Sequence, residues 1–423
     1  MDELINVSDN LKLVTIKSSD IKKALILRVG GVGDCLILTP VARTLYNQGY
    51  KVDYMSGSPT GNVHKLFDGL PFINQSLRIE RVNGIDCVKD KNEHYISVEI
   101  LKENYDEVFD YKYSVEDNRS GVNKTGGWRN TLNSNYMNWI DLSLAWANID
   151  YTKVSDENKK PEIVIEPKYL EWILTTSIGD KKAGGARICN IIGIQLQAST
   201  LIRSWYKAGD LPKIIHEKYP NDLVVIFMNG IWKVLSKYGE GRLVPDEFKP
   251  DDTEFDPLLI SAAIISQMDC FITADSGMSH VAAALDIPTI GIYTTVPAWT
   301  REKYYSHSFP LETNVYCHPC FTLDAFCPIE KENALKQLTE REKQIIDCHD
   351  KGMNIVEVCR KFNSIPGAIQ AELNAARQRV QALSAVEAAC VKSITSDMIL
   401  EKLDMILLPN KINSTSTELM EVL

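Results

Sequence analysis

The chain has 423 residues, a formal net charge of −10 at pH 7 and a hydrophobic fraction of 44%. This length is enough for two or three domains, and the composition is that of an ordinary soluble protein. The negative charge argues against a surface built as a whole for nucleic acid, although a local basic face would be hidden in the average.

Two absences in the sequence bear on where the protein works. No apolar run reaches the length of a membrane span, and the N-terminal residues lack the basic and apolar regions of a signal peptide. We therefore expect a cytoplasmic protein without membrane insertion. In that compartment the 10 cysteines are free thiols or metal ligands rather than a disulfide framework.

A glycine-rich loop follows the first predicted strand. Residues 24–29 have the apolar pattern of a buried strand, residues 35–46 have that of a helix, and Gly31 and Gly33 lie between them. Glycines at these positions allow a ligand to approach the backbone closely. Asp34 ends the loop at the mouth of the predicted sheet, where a carboxylate is well placed to act as a general base. The alternative is that Asp34 only caps the helix.

The N-terminal half continues this alternation of strands and helices. Residues 114–138 form a polar and aromatic loop, which is either an acceptor-binding surface or a solvated insertion. The charged stretch 150–161 is typical of a linker between two halves. The other elements predicted in this half are strands over 51–55 and 105–110 and helices over 63–67 and 139–146.

A second set of strands and helices begins after the linker. Two halves of this kind predict two Rossmann-like domains that face a cleft. Arg203 follows a strand of the second half, and it is either a bidentate ligand of a donor phosphate or an ordinary surface arginine. The elements predicted here are strands over 162–165, 191–196 and 223–227 and helices over 211–219 and 256–267.

The stretch 268–293 has the clearest pattern in the second half. It predicts a strand over 270–273, a tight turn over 275–277, a helix of small residues over 278–285 and a second strand over 289–293. The N-terminus of such a helix presents unpaired N–H groups and the positive end of the helix dipole. Ser276, Gly277 and Met278 are therefore candidates to hold a diphosphate with backbone donors. The alternative is an ordinary turn between a strand and a helix.

Three segments together resemble glycosyltransferase family 9, the ADP-heptose:lipopolysaccharide heptosyltransferase group. They are the loop at 30–40, the segment 199–205 and the segment 275–288. The resemblance implies an α/β GT-B fold of two Rossmann-like domains and an inverting, metal-independent transfer from a UDP- or ADP-sugar, with Asp34 as the base. The donor-binding residues that it implies are Gly31, Gly33, Ser199, Thr200, Arg203, Asp275, Ser276, Gly277, Met278 and His280.

The chain departs from the family pattern at two places. Arg203 stands where the family often has a lysine, and residues 228–233, where the nucleoside would bind, contain nothing that matches. The resemblance therefore does not identify which nucleotide the donor carries. For His280 the alternative to a sugar contact is packing against the neighbouring loop.

A CxxC pair follows the donor segment. Cys317 and Cys320, with Cys327 soon after them, are typical of a metal site in a reducing compartment, and a fourth ligand is required. The segment that begins at Cys390 resembles the closing segment of the family, which nominates this residue, while Cys348 competes for the role. Zinc is the general expectation for four thiolates, and iron occurs in some protein heptosyltransferases of the family. The alternative is a set of free thiols packed in a loop.

Between the third and fourth of these cysteines the sequence predicts a three-helix insertion. Helices are expected over 339–347, 355–362 and 366–380, and the stretch resembles the helix-turn-helix of sigma factors and response regulators. Residues 336–381 carry eight Lys or Arg and six Asp or Glu, so their net charge is +2 and the rest of the chain carries −12. The insertion is therefore a basic island on an acidic protein.

The helix-turn-helix resemblance places the third helix in a DNA major groove. Glu372 on that helix would oppose a phosphate, and the alternative is a three-helix unit that docks a protein. The DNA-binding residues that the resemblance implies are Arg360, Lys361, Gln370, Asn374, Arg377 and Arg379.

These parts divide the expected α/β protein into four segments. They are an acceptor domain over 1–155, a sugar-nucleotide domain over 156–330 that ends in the cysteine finger, the helix-turn-helix insertion over 331–382 and a return segment over 383–423. A transferase with a DNA-binding module is most simply one whose acceptor is DNA. Because ordinary bases offer no such nucleophile, the hydroxyl would belong to a modified base such as a hydroxymethylpyrimidine, which must leave the stack of a duplex.

Such chemistry suits a bacteriophage, and two other functions stay open. One is a heptosyltransferase that acts on lipopolysaccharide core or a protein serine and uses the insertion for oligomerisation. The other is a DNA-binding regulator that senses a sugar nucleotide without catalysis. The presence of both Asp34 and Arg203 argues against the regulator, because a protein that only senses the sugar nucleotide needs no general base beside the phosphate cation.

Overall fold

The computed structural model of the chain has an α/β architecture with two large sheets. A small antiparallel sheet accompanies the first of them. The residues that the structure describes are 21–59, 61–90, 92–112, 137–176, 178, 189–205, 210–228, 231–236, 239–242, 256–321, 327 and 329–407.

The N-terminal half forms a four-stranded parallel sheet with helices around it. Its elements are β1 (Lys23–Val29), α1 (Val32–Leu36), α2 (Thr39–Asn47), β2 (Lys51–Gly57), β3 (Gln75–Arg78), β4 (Glu80–Val82), β5 (Ile85–Lys89), β6 (Tyr95–Ser97), α3 (Val98–Lys102), β7 (Glu107–Asp110) and α4 (Trp139–Trp146). The strand order is β3-β2-β1-β7, and β4-β5-β6 form the small sheet. Strand β1 reads as an unbroken apolar run because residues 24–27 are buried on both faces.

Three predicted elements differ from the structure, the smallest difference being the short helix expected over 63–67, which is a 3-10 helix at Val63–Leu66. The helix expected over 35–46 is two helices, α1 and α2, because Pro40 lies in the first turn of α2 and has no N–H to donate to Leu36. The Leu36 carbonyl accepts the hydroxyl of Thr39 instead. The strand expected over 162–165 joins no described sheet, because the N–H of Val164 donates to the carbonyl of Leu66 in the N-terminal half.

The C-terminal half forms a seven-stranded mixed sheet. Its elements are α5 (Pro167–Leu174), β8 (Ile191–Gln195), α6 (Leu211–Lys218), β9 (Leu223–Met228), β10 (Ile231–Ser236), β11 (Gly239–Arg242), α7 (Pro257–Ile265), β12 (Cys270–Ala274), α8 (Gly277–Ala284), β13 (Thr289–Tyr293), α9 (Trp299–Glu302) and β14 (Leu311–Glu312). The order is β11-β10-β9-β8-β12-β13-β14, with β10 antiparallel to both of its neighbours. Apolar residues of α7 join those of β1 and α4 in one core that spans both halves.

The insertion and the segment after it are helical. Their elements are α10 (Lys331–Lys336), α11 (Glu340–Asp350), α12 (Ile355–Phe362), α13 (Pro366–Glu387) and α14 (Ala389–Ser393), followed by a helix over 396–407. Thr339 and Asn354 begin α11 and α12 with capping boxes, and Asn363 ends α12 at a φ of 48°. The three predicted helices are present, and the third extends past 380 to Glu387.

Helix α13 connects two apolar cores. Its first part packs in the core of the insertion through Ile369 and Leu373. Further along, Ser384 and Ala385 are fully buried, and Ala388 just beyond the helix belongs to the core that contains Ile202 of the C-terminal half. The four segment boundaries stay predictions. Among the described ranges, none of the helices is long and apolar enough to cross a membrane.

Candidate active site

Asp34 lies at the start of α1, just beyond the carboxyl end of β1. Its carboxylate Oδ1 pairs with Nη2 of Arg28 at 2.9 Å, and its Oδ2 accepts the N–H of Gly31 at 2.8 Å. Asp34 therefore does cap this helix. The side chain is still 15% exposed, and a carboxylate has about four lone-pair sites, so these contacts leave sites for a substrate hydroxyl.

The turn between β12 and α8 is the strand-turn-helix unit that the sequence predicts. The hydroxyl of Ser276 accepts the N–H of Met278 at 3.3 Å and donates to Oε1 of Gln195 at 2.9 Å. This second bond ties the turn to the neighbouring strand β8. Ser276, Gly277 and Met278 are partly exposed, whereas residues 279–283 behind them are buried. The N-terminus is therefore the accessible end of α8.

A buried ion pair holds this turn to the segment before α6. Asp275 is 2% exposed, and it accepts Nε of Arg203 on its carboxylate at 3.0 Å and Nη2 on its backbone carbonyl at 2.7 Å. Nη1 of Arg203 donates to the hydroxyl of Ser199 at 3.2 Å. Burial alone would raise the pKa of Asp275, but Arg203 and Arg301 hold it below its usual value. The buried hydroxyl of Thr200 has no hydrogen-bond partner among the described residues.

The glycine-rich loop and the donor turn touch each other across the two halves. A Cβ on Gly33 would lie 2.4 Å from Cδ2 of His280, and one on Gly277 would lie 3.0 Å from Cβ of Val32. Glycine is needed at Gly33 because no side chain fits at that distance. His280 is 6% exposed and shares a hydrogen bond with the hydroxyl of Tyr305. His280 thus packs against the loop, and burial lowers its pKa to about 4, so the ring is neutral at pH 7.

A second arginine beside Asp275 is absent from our predictions. Arg301 is 4% exposed, its Nε lies 3.8 Å from Oδ1 of Asp275, and its guanidinium carbon lies 3.4 Å from the centroid of the Trp139 ring. A lone arginine in an aromatic segment has no spacing pattern that would indicate a site. It reaches the donor turn because α9 follows β13, the strand that pairs with β12, while α4 of the other half supplies the ring on which it stacks.

Glu302, the next residue, is a buried carboxyl group. It is 5% exposed and accepts hydrogen bonds from the hydroxyls of Tyr293 and Ser308. Burial raises the pKa of Glu302 to about 7 in spite of these bonds. The folded protein therefore keeps this proton to a higher pH than the unfolded chain does.

We expect this carboxyl group to make the protein less stable as the pH rises from about 4.3, the usual pKa of glutamate, to about 7. In that window the unfolded chain binds fewer protons than the folded protein, so the free energy of unfolding falls. Glu302→Gln should remove this component, whereas Glu332→Gln, a change at an exposed carboxylate that does not act on Glu302, should keep it. Thermal unfolding at pH 5 and pH 7.5 measures both. An unchanged pH dependence in Glu302→Gln would contradict the assignment.

The four cysteines predicted to bind a metal are neighbours in space. Burial raises the pKa of the Cys390 thiol to about 12, and the thiols of Cys327, Cys320 and Cys317 add to this increase. Cys348, the competing fourth ligand, lies instead in the core of the insertion, 3.2 Å from Nζ of Lys361. No group of three or more His, Cys, Asp or Glu side chains within the described part of the chain has an arrangement that could hold a metal ion. The metal therefore stays a prediction, in which Cys390 fits better than Cys348.

The side chains predicted to contact DNA lie on α12 and α13. Arg377 pairs with Asp350 and Arg379 pairs with Glu342, each at 2.9 Å. Exposed ion pairs contribute only about 0–1 kcal/mol, so a phosphate can replace them. The exposed members of the set are Arg360, Lys361, Gln370, Asn374 and Arg379, and Arg377 is half-buried.

Two predicted regions lie partly outside the described residues. Of the candidate acceptor loop over 114–138, only residues 137 and 138 are described. In the candidate nucleoside region, residues 229 and 230 are not described, and β9 and β10 on either side of them pair antiparallel.

Known proteins resemble this chain in part of its sequence and over most of its fold. Residues 258–326 match the family model of glycosyltransferase family 9 (heptosyltransferase). No curated protein matches the sequence. The solved structure of the glycosyl transferase family 9 protein from Veillonella parvula is 13% identical, covers 93% of this chain and 99% of its own, and has a TM-score of 0.51.

Two further solved structures are similar at lower TM-scores. ADP-heptose lps heptosyltransferase II of E. coli is 16% identical, with a TM-score of 0.44 over 69% of this chain and 90% of its own. The iron-containing dodecameric glycosyltransferase TibC from enterotoxigenic E. coli is 14% identical, with a TM-score of 0.44 over 87% and 78%. Together the family match and the Veillonella fold support a glycosyltransferase with the α/β fold of this group.

Proposed function

We propose that the protein transfers a sugar from a nucleoside diphosphate sugar to a hydroxyl group, with inversion at the anomeric carbon. The observation that carries the proposal is the contact between the loop of Asp34 and the turn of Asp275, through Gly33 and His280. The acceptor oxygen attacks the anomeric carbon, the bond from that carbon to the diphosphate breaks, and the hydroxyl proton passes to Asp34.

The leaving diphosphate requires positive charge and N–H donors. The partly exposed N-terminus of α8 supplies the donors and the positive end of a dipole. Arg203, fixed by Asp275 and Ser199, supplies a cation. These groups are held in place before the substrate arrives, which is the condition for effective stabilisation of developing charge.

For the acceptor we propose a hydroxymethylpyrimidine base in DNA. The observation that favours it is the three-helix insertion, in which α11, α12 and α13 begin close to the predicted positions and the polar side chains of α13 are exposed. A net charge of +2 over residues 336–381 fits a phosphate-bearing partner better than the rest of this acidic chain does. The insertion would bring the modified base to Asp34.

The test is transfer of radiolabelled sugar from ADP- and UDP-sugars to hydroxymethylcytosine-containing DNA, beside unmodified DNA, lipopolysaccharide core and a serine-rich protein. Label in the modified DNA alone is the expected result. Label in lipopolysaccharide or protein would overturn the DNA acceptor and keep the transferase. No label anywhere, from protein that binds both sugar nucleotide and DNA, would overturn the enzyme and favour a regulator.

We also propose that Cys317, Cys320, Cys327 and Cys390 hold a structural zinc or iron ion. The proposal is supported by the proximity of the four thiols, which are the ligands that both metals accept. Such an ion would fix the finger to the start of the return segment, and the transfer reaction does not use it.

Cys390→Ser is expected to lower the metal content of the purified protein and its thermal stability, because three thiolates bind such an ion more weakly than four. Cys348→Ser is the matched control, since it changes a buried thiol in the core of the insertion. Elemental analysis of both variants gives the metal-to-protein ratio. If Cys390→Ser keeps the wild-type ratio, or if Cys348→Ser loses the metal instead, this ligand set is wrong.

A further inference from the structure

The donor turn contains more positive charge than Arg203 supplies. Asp275 carries one negative charge, and the Nε atoms of Arg203 and Arg301 lie 3.0 and 3.8 Å from its two carboxylate oxygens. The three groups therefore sum to +1 beside the positive end of α8 below about pH 7, where Glu302, the residue after Arg301, holds its proton. The neutral ring of His280 does not change this sum. A buried net cation at a helix N-terminus favours an anionic ligand.

The two arginines are held in different ways. Each of the three guanidinium nitrogens of Arg203 donates a hydrogen bond within the C-terminal half, two to Asp275 and one to Ser199. Arg203 is thus braced by the turn itself. The Nε atom of Arg301 lies 3.8 Å from Oδ1 of Asp275, which is longer than a hydrogen bond. This pair therefore attracts by charge and forms no hydrogen bond through these atoms.

Arg301 is stacked on a side chain of the other half. Its guanidinium carbon lies 3.4 Å from the centroid of the Trp139 ring, on α4. An arginine stacked on an indole ring away from water gains cation–π attraction and a fixed plane. Helix α4 is itself fastened to α9, because Nδ2 of Asn138 donates to the carbonyl of Trp299 at 3.0 Å.

We propose that Arg301 is a second cation for the donor diphosphate and that Trp139 is the residue that positions it. The N-terminal half then contributes to donor binding as well as to catalysis. This inference rests on the proposed function, because it takes the donor to be a nucleoside diphosphate sugar. In this proposal Arg301 binds the second phosphate group. Replacing Arg301 should therefore weaken the binding of nucleoside diphosphates and leave the binding of monophosphates unchanged.

The test measures by calorimetry how strongly the protein prefers a diphosphate to a monophosphate. This preference is the Kd for AMP divided by the Kd for ADP, and likewise the Kd for UMP divided by the Kd for UDP. Arg301→Gln should lower this ratio about 10- to 100-fold, the range for losing one hydrogen bond to a charged group. Trp139→Leu should lower it in part, whereas Trp139→Phe, which keeps an aromatic face, should restore most of it. Affinity for the monophosphate should be unchanged, which also shows that each variant is folded.

Three outcomes would overturn the inference, and the last of them would also overturn the proposed function. If Arg301→Gln weakens both nucleotides equally, Arg301 is only structural. If Arg203→Ala lowers the ratio and Arg301→Gln does not, Arg203 acts alone and the proposed function stands. If the wild type does not prefer diphosphates with either nucleoside, and Arg203→Ala changes nothing, the donor site itself is wrong and the proposed function fails with it.

Discussion

Replacement of Asp34 by asparagine is expected to lower kcat for sugar transfer by about 10²- to 10⁴-fold, the range of one general base. An asparagine can accept the N–H of Gly31 as the aspartate does, so α1 should keep its start, although the ion pair with the buried Arg28 and some stability are lost. It has no capacity to take up the acceptor proton. The rate should therefore fall while the affinity for the donor is nearly unchanged, which separates catalysis from binding.

Asp53→Asn is the matched control for this change. Asp53 is a buried carboxylate in the middle of β2, where it accepts hydrogen bonds from Asn74 and Tyr105. This variant is expected to lose stability and keep its transfer rate per folded molecule. The measurement is single-turnover transfer to the acceptor identified in the labelling experiment. A rate for Asp34→Asn within roughly tenfold of the wild type would rule out the role of general base.

Replacement of Asp141 by asparagine is expected to lower the free energy of unfolding by about 3–5 kcal/mol. Asp141 on α4 and Lys159 in the linker are 3% and 4% exposed, and 2.8 Å separates Oδ1 from Nζ. The hydroxyl of Tyr304 donates to the same carboxylate, so the pair joins both halves and the linker. Without Asp141 the buried ammonium group of Lys159 is left uncompensated. Urea unfolding followed by tryptophan fluorescence, to which Trp139 and Trp146 of α4 contribute, measures the loss.

Asp141 also makes the free energy of unfolding depend on pH, in a direction that its contacts determine. Burial alone would raise the pKa of Asp141, but hydrogen bonds from Lys159, Tyr304 and Lys303 hold it below its usual value. A depressed pKa stabilises the folded state above the usual pKa of about 3.9, and this contribution is lost as the pH falls through the folded pKa. The wild type should therefore lose stability below about pH 4 more steeply than Asp141→Asn does.

Two controls identify the buried pair as the cause. Lys303→Met removes a half-exposed partner of Asp141 and should cost about 1 kcal/mol or less. The double variant Asp141→Leu with Lys159→Met removes both charges and should recover most of the loss, because no buried charge is left unpaired. If the double variant is no more stable than Asp141→Asn, the loss comes from packing rather than from the charge.

Local elements of the fold were predictable where short-range chemistry determines them. Helix Trp139–Trp146 and strand Thr289–Tyr293 have the predicted bounds. The side chain of Asn138 caps the helix at Ile140, and the strand is an apolar run buried along its whole length. The β4–β5 hairpin is absent from our predictions, although its turn contains Asn83 and Gly84 at positive φ, the residue pair that favours such turns.

Most residues of the candidate site could be proposed one by one from the sequence, but Arg301 and the arrangement of the site could not. Asp34 and Ser276 could be found because each follows a strand and begins a helix. The pairing of Arg203 with Asp275 joins residues 72 positions apart, and only the folding of the sheet brings them together. Arg301 is placed beside Asp275 by the pairing of β12 with β13, and its stacking on Trp139 depends on the packing of one half against the other, neither of which a local pattern of residue types records.

Helix α13 has a consequence for how the insertion can move. Its 22 residues form a rod about 33 Å long, at 1.5 Å per residue. One end lies in the core of the insertion, and the other reaches the core that contains Ile202, next to Arg203. A module on a flexible tether would sample many orientations, whereas a module built on a continuous helix keeps a fixed angle to the C-terminal half. On the proposed function, a ligand bound to the insertion would be presented to the donor site at a set distance, and a glycine pair inserted near the middle of the helix would remove this fixed orientation.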